Sequence, residues 1–290
     1  MVLRAERKVE VDNLTKEELI SIVRSLEEKV SLQENFLLNI SHDLRNPINV
    51  ILSIVQCIQS NSKENNDFKL SPKGKEYRDL IKRNSLKMIK LIDNLIDTTK
   101  LEGNFYRLNK SNIDIISMVE ATVTSIDEYA EQKEIQLVFD TNVEECISAV
   151  DPQALDRIVM NLLSNAIKFS PKGSHIFIDV LVDDKNIKIS VKDEGPGIPL
   201  EEQELIFNRF VQSTQNKRGE YTGSGIGLDL VNYLTKAHDG LVKLVSKEGK
   251  GSEFKVIIPK KIIENQKRDC EFVKKNKVEQ LEIEFSDIYL

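Results

Sequence analysis

From Leu19 onward, apolar or seam-compatible residues recur at alternating steps of four and three, through Val23, Leu26, Val30, Gln33, Leu37, Ile40 and Leu44, with Gln33 the one polar position. Such spacing is a heptad seam, in which one face of a helix meets a partner helix. Thr15 stands three residues before Glu18, a capping-box pairing that starts the helix just ahead of the seam. Pro47 is expected to bend this helix without ending it, because Ile48, Ile51, Leu52 and Val55 carry the apolar face onward. A polar stretch from Ser60 to Gly74 breaks the pattern, and a second periodic segment follows through Tyr77, Ile81, Met88, Leu91 and Leu95. The pattern predicts a helical hairpin. Neither helix can bury its whole stripe against one partner, so two copies forming a dimeric four-helix bundle is the economical arrangement, and a homodimer is expected.

Past Gly103 the texture changes. A helix is expected over 112–132, followed by strand-like runs IQLVFD and CISAV. Asp151 and Pro152 form an N-cap and first-turn pair for a helix reaching Phe169. Ile176, Ile178, Val180 and Val182 alternate as in a strand, as do Ile187, Ile189 and Val191. A helix after Gly225 and the hairpin pattern LVKLVSKEGKGSEFKVII complete an α/β layer arrangement. The fold class is therefore α+β and multidomain: an N-terminal helix over 1–31, the hairpin over 32–103, an α/β sandwich over 104–262, and a tail over 263–290.

Composition sharpens this only in places. At 290 residues and 40% hydrophobic content the chain can bury a core in more than one domain. Its 41 basic and 47 acidic side chains leave a net charge of -6, which gives no electrostatic footprint for nucleic acid. The longest apolar stretch, Ile48 to Ile58, is broken by Asn49, Ser53 and Gln56 and is too short to cross a bilayer. The N-terminus lacks the apolar core of a signal peptide, so a cytoplasmic location is expected. Cys57, Cys146 and Cys270 have no zinc or disulfide spacing and read as ordinary thiols.

His42, in SHDLRNP, lies two residues from each of the seam positions Ile40 and Leu44, so it is expected to point away from the bundle axis. An exposed imidazole is a nucleophile for phosphorus when a neighbour handles its proton, and Asp43 is the adjacent carboxylate. Taken alone, such a histidine is usually just a solvated side chain. In NLLSNAIKF, Asn161 and Asn165 fall one helical turn apart, and their amide oxygens suit Mg²⁺. Helix asparagines also bond locally, so the pair by itself decides nothing. In DEGPGIP, Asp193 can accept from an adenine amino group while Gly195 and Gly197 admit a flat base; read blandly, it is a tight turn ending a strand. In GSGIGL, Gly223, Gly225 and Gly227 precede an apolar helix whose free N–H groups favour phosphate.

Together these segments resemble a known family. FLLNISHDLRNPI is similar to the phosphoacceptor box of sensor histidine kinases, and NLLSNAIKF, DEGPGIP, IFNRF and GSGIGL resemble their asparagine, first glycine, phenylalanine and second glycine boxes, in family order. The resemblance covers roughly Leu32 to Pro259. It implies a dimerisation and phosphotransfer hairpin joined to the ATP-binding fold of gyrase-type ATPases and Hsp90. It further implies that His42 is phosphorylated from Mg-ATP with Asp43 as general base, and that the group passes to an aspartate of a response-regulator receiver domain. Asn46 would position the water that hydrolyses the regulator's phosphoaspartate. Asn165 with Asn161 would hold Mg²⁺, Lys168 and Phe169 would contact phosphate and nucleotide, and Asp193 would read adenine. Ile198, Ser224, Ile226 and Leu228 complete the nucleotide boxes. The segment from about Asn208 to Ser224 resembles a lid over ATP, with Arg209 directed at the γ-phosphate and Phe207 and Phe210 as anchors, a role compatible with plain core packing.

Departures from the family pattern are mild. Asp43 and Asn46 stand where Glu and Thr are commoner, Asn208 where an acidic residue is frequent, and Asp229 adds a carboxylate to a helix start that favours anions. Two other classes share parts of this pattern: a silent scaffold of the same fold, opposed by the intact SHD and glycine boxes, and a gyrase–Hsp90-type ATPase, which has no need of a histidine on a dimerising hairpin. His175 and His238 are assigned no function. In the tail, Leu281, Ile283 and Phe285 alternate with polar residues, a pattern for an edge strand or a partner-binding segment, though such tails are more often mobile ends.

Overall fold

In a computed structural model of the chain, residues 15–61, 72–102, 108–208, 211, 225–264 and 277–287 are described. Contacts divide the chain into two compact units, Met1–Asn46 and Pro47–Leu290. Helix α1, Lys16–Asn61, crosses that division and contains Pro47, whose missing N–H removes one rung of the helical ladder at the unit boundary. It begins at Thr15, whose carbonyl accepts from Leu19 N at 3.0 Å. In the first unit Leu19 and Val23 of the seam are exposed, and at Leu26, Val30, Gln33, Leu37 and Ile40 the backbone alone is described.

The second unit contains α2 (Pro72–Glu102) and an α/β body. A helix over the whole of 112–132 does not form. Ser111–Asp114 is a strand, β1, and α3 runs Ile115–Gln132. The carboxylate of Asp114 sets that start, because Oδ1 accepts from Ile116 N at 3.2 Å and Oδ2 from Ser117 N at 3.4 Å. β1 instead pairs antiparallel with β3 (Ile147–Val150).

The main sheet has the order β2–β4–β5–β7–β6, built from Gln136–Thr141, His175–Val182, Asn186–Lys192, Ser252–Pro259 and Leu241–Ser246 respectively. β2 runs parallel to β4, and the other neighbours are antiparallel. Register explains the one-sided core. Val180 faces Ile189, which faces Val256, and Ile178 faces Val191, which faces Phe254, so every second residue lands on the buried side. Lys188, Lys192 and Lys255 occupy the alternate positions. Against the buried face pack α3, α4 (Pro152–Phe169) and α5 (Gly227–Ala237), making a two-layer sandwich. Burying each Ile or Val of this face contributes roughly 1.5–3 kcal/mol, so the ladder and the three helices stabilise one another.

Asp151 caps α4 as its sequence promised, with Oδ1 accepting from Gln153 N at 3.0 Å and Ala154 N at 3.1 Å. His238, buried at the end of α5, accepts from Asp151 N through Nε2 at 3.0 Å and donates from Nδ1 to Leu234 O at 2.8 Å. Burial lowers its pKa, so the neutral ring is a structural clasp between two helix ends. The tail departs from its expected alternation. Lys277–Glu284 is a helix, α6, closed by a 3₁₀ turn over Phe285–Asp287. Leu281 and Phe285, one helical turn apart, are both buried, so the operative period is four and not two.

Candidate nucleotide site

β5 ends where its edge meets the turn between β6 and β7, and that junction holds Asp193. The carboxylate is buried, at 7% exposure, and its Oδ1 accepts two backbone amides, Gly195 N at 2.8 Å and Ser252 N at 3.2 Å. Both donors go to one oxygen, which leaves Oδ2 without a hydrogen-bond donor among the described residues. Burial pushes the pKa of this carboxyl up, against the two amides that lower it. Glycines shape the surroundings. A Cβ on Gly195 would stand 2.8 Å from Asp193 Oδ1 and 3.1 Å from Phe169 O. Gly197, at φ +72°, has Lys247 O only 2.1 Å from where a Cβ would be, and Gly251, at φ +84°, has Asp193 O at 2.0 Å. Only glycine tolerates both the left-handed backbone and that proximity.

A second set of polar residues backs this turn. Ser246 Oγ accepts from Ile198 N at 2.9 Å, donates to Gly251 O at 3.0 Å and lies 2.9 Å from Ser252 Oγ. Gln203 Nε2 donates to Ile198 O at 2.9 Å and Ser246 O at 3.1 Å. Reading the sequence missed Ser246, Gln203, Gly251 and Ser252. The glycines of KEGKGS signalled a turn, but their approach to Asp193 depends on β5 and β6 flanking β7.

Across from this turn, α4 presents its asparagines. Asn161 Nδ2 donates to Arg157 O at 2.8 Å, which fixes the amide with Oδ1 directed toward the start of α5. A Cβ on Gly227 would stand 2.7 Å from that Oδ1. The glycine thus lets the α5 N-terminus approach an amide oxygen closely, and no side chain caps that helix end. Gly225 holds the approach at φ +68° and Ile226 is buried, while Leu228 and Ile198 are partly buried against the core. Asn165 lies one turn after Asn161 on the same helix, half-buried. Lys168 is buried with its Nζ 5.5 Å from the centre of the Phe169 ring, and that ring is 38% exposed. The α4 terminus is held from outside by Lys133, whose Nζ donates to Ile167 O at 2.6 Å and Lys168 O at 2.7 Å. Burial lowers the Lys133 ammonium to about 8.

Asn161, Asn165, Asp193, Gly195, Gly197, Gly225 and Gly227 therefore belong to one α/β body, brought together from α4, the end of β5 and the start of α5. Phe207 packs edge-on against Phe254, with ring centres 6.2 Å apart. Arg209, Phe210, Gly223 and Ser224 lie outside the described residues, as do the side chains of His42 and Asp43, though both stand on α1; Asn46 is exposed on the same helix. Among the described residues no cluster of His, Cys, Asp and Glu is fit for a metal. Amide oxygens are the donors available beside the α5 start, a hard oxygen set that fits Mg²⁺ sharing its shell with phosphate and water.

Comparison with known proteins bears on the family of the chain. Residues 150–262 match the family model of the histidine kinase-, DNA gyrase B- and HSP90-like ATPases, and residues 32–104 match the His Kinase A (phospho-acceptor) domain. The chain belongs to the sensor histidine kinases. This histidine kinase is 31% identical to the sensor histidine kinase TmoS of Ectopseudomonas mendocina over 257 residues, covering 88% of the chain and 26% of TmoS. It spans less than half the length of the curated relatives it matches. Among solved structures, full-length ShkA in complex with AMPPNP shares the fold at TM-score 0.59 and 22% identity, covering 79% of this chain and 46% of ShkA. The histidine kinase ThkA in complex with the response regulator TrrA does so at TM-score 0.59 and 20% identity, covering 86% of this chain and 68% of that one. In the kinase no described helix is long and apolar enough to cross a membrane.

Proposed function

We propose that this kinase binds Mg-ATP in the α/β body, phosphorylates its own His42, and passes the phosphoryl group to an aspartate of a response-regulator receiver domain. One observation carries the nucleotide half: Asp193 keeps Oδ1 for two backbone amides and leaves Oδ2 without a protein partner among the described residues, beside glycines whose missing side chains leave room for a flat base. A carboxylate oxygen so held accepts from the exocyclic amine of adenine. The triphosphate extends toward the uncapped start of α5, where backbone N–H groups favour anions. Lys168, Phe169 and Arg209 serve the phosphate and nucleotide side, with the segment from about Asn208 to Ser224 as the lid and Phe207 and Phe210 as its anchors. Asn165 and Asn161 would hold Mg²⁺, which supplies neutralisation of phosphate charge.

In the transfer step an imidazole nitrogen of His42 attacks the γ-phosphorus. An N–P bond forms, the bond from the γ-phosphorus to the bridging oxygen breaks, ADP leaves, and Asp43 takes the imidazole proton. Positioning and electrostatics supply the acceleration. The aspartate of the regulator then takes the phosphoryl group from nitrogen, and Asn46 orients water for the reverse duty of clearing the regulator. Exposed Ile48, Val50, Leu52 and Val55 on α1, and Ile89, Ile92 and Ile96 on α2, support a homodimer in which a second copy covers them. Incubation with γ-labelled ATP tests the assignment. An acid-labile, alkali-stable protein phosphate is expected, absent in His42→Gln. Free phosphate without protein label would point to an ATPase, and nucleotide binding with neither product to a silent scaffold.

A further inference from the structure

The C-terminal helix α6 has two faces with different neighbours. Its apolar face, Leu281 at 4% exposure, continues into Phe285 of the following 3₁₀ turn at 0%, and both belong to the core of the α/β body. There the Phe285 ring stacks on Tyr129 of α3, with centres 4.9 Å apart and planes 24° from parallel. Its acidic residues meet α2 instead. Lys82 Nζ lies 2.6 Å from Glu282 Oε1, and Lys90 Nζ donates to Glu284 O at 2.5 Å and lies 3.5 Å from Glu284 Oε1. Arg157 of α4, one turn before Asn161, is half-buried; desolvation lowers its pKa, and the carboxylates of Glu284 on α6 and Asp93 on α2 oppose that shift.

We propose that α6 is an intramolecular strap that docks the ATP-binding body onto α2 and holds autophosphorylation below its unstrapped rate. Two features with different physics agree on where α6 sits: aliphatic and aromatic anchors sealed in the core of the α/β body, and glutamates matched to lysines on α2. Twelve residues, 265–276, separate Glu264 from Lys277, so the strap stays tethered when it lets go and rebinds at high effective concentration. A nucleotide-bearing body has to travel between delivering phosphate to a histidine and clearing the way for a regulator. Any contact that favours one placement reduces the others by its own closed-to-open ratio.

The inference rests on the kinase reading for its activity readout. In the full chain, Phe285→Ala should raise the initial rate of His42 labelling at saturating ATP by roughly tenfold, leaving the KM for ATP unchanged. Because that variant opens a core cavity, the exposed ion pair provides a second route. Lys82→Glu and Glu282→Lys should each raise the rate about two- to fivefold, and the double reversal, which restores an opposite-charge pair, should return it to the parent value. Amide exchange along residues 82–90 reports docking without activity and should quicken in each single variant but not in the double. Unchanged or slower labelling in the single variants, or failure of the double to restore the parent rate, overturns the restraint. Unchanged exchange overturns the strap itself. A parent chain that takes no label at all overturns the kinase reading instead, and exchange still decides whether α6 docks.

Discussion

Asp193→Asn separates what the carboxylate does for the fold from what it does for a ligand. On the folding side, both backbone amides bond Oδ1, so the asparagine oxygen must take that place to keep them. Each bond falls from a charged-group value of about 1.5–3 kcal/mol to an ordinary 0.5–1.5 kcal/mol. Against that loss, a buried negative charge disappears, and its desolvation penalty is of the order of several kcal/mol. The two nearly cancel. Apo stability should stay within about 1 kcal/mol of the parent, which is a few degrees in Tm. On the ligand side, the amide nitrogen is forced into the place of Oδ2, where a donor now confronts the adenine amine. Losing the charged-group bond and stranding a donor together cost about 3–6 kcal/mol, or roughly 10²–10⁴ in Kd at 1.4 kcal/mol per tenfold.

Thermal unfolding and calorimetric titration with a non-hydrolysable ATP analogue measure both sides in one preparation. A variant that loses about 10 °C yet keeps its affinity would refute the reasoning, because the carboxylate would then be a structural staple. The pH behaviour follows from the same burial. The folded-state pKa of Asp193 lies above its unfolded value, so the folded chain takes up that proton first as pH falls. The contribution of this group to stability therefore decreases as pH rises through the window between the two values. Nucleotide affinity moves the other way, failing as Asp193 protonates, at a pH above the ordinary carboxylate range.

Gly197→Ala should cost several kcal/mol and lower Tm by about 10 °C, because its Cβ would fall 2.1 Å from Lys247 O at φ +72°. Gly249→Ala is the control: φ is +74° with nothing within 4 Å, so strain of about 1 kcal/mol is all that remains. Lys133 has a folded pKa of about 8, below its unfolded value of 10.5, so the folded lysine sheds its proton first and stability should rise between those pH values. Lys133→Met should abolish that slope in denaturant titrations at pH 7.5 and 9.5; since the side chain is only half-buried and water screens it, the difference is ~1 kcal/mol at most.

The chain's own pattern determined the helix–strand alternation of the α/β body, the Asp151 cap and the segments that carry Asn161, Asp193 and the glycines, because periodicity, caps and turns are local consequences of side-chain shape and hydrogen-bonding capacity. The same locality misled at two points. Asn112 and Ile113 could begin a helix or end a strand, and pairing with Ala149 and Ser148 decided for the strand. Leu281, Ile283 and Phe285 satisfy an alternating pattern as well as a helical one, and the choice fell to burial of Leu281 and Phe285 against the body. What tertiary structure alone supplied is which oxygen of Asp193 remains for a ligand, how Ser246 and Gly251 back it, and where the glutamates of α6 find their lysines. Those depend on distances between segments far apart in sequence, set by strand order and helix packing, and no local propensity encodes them.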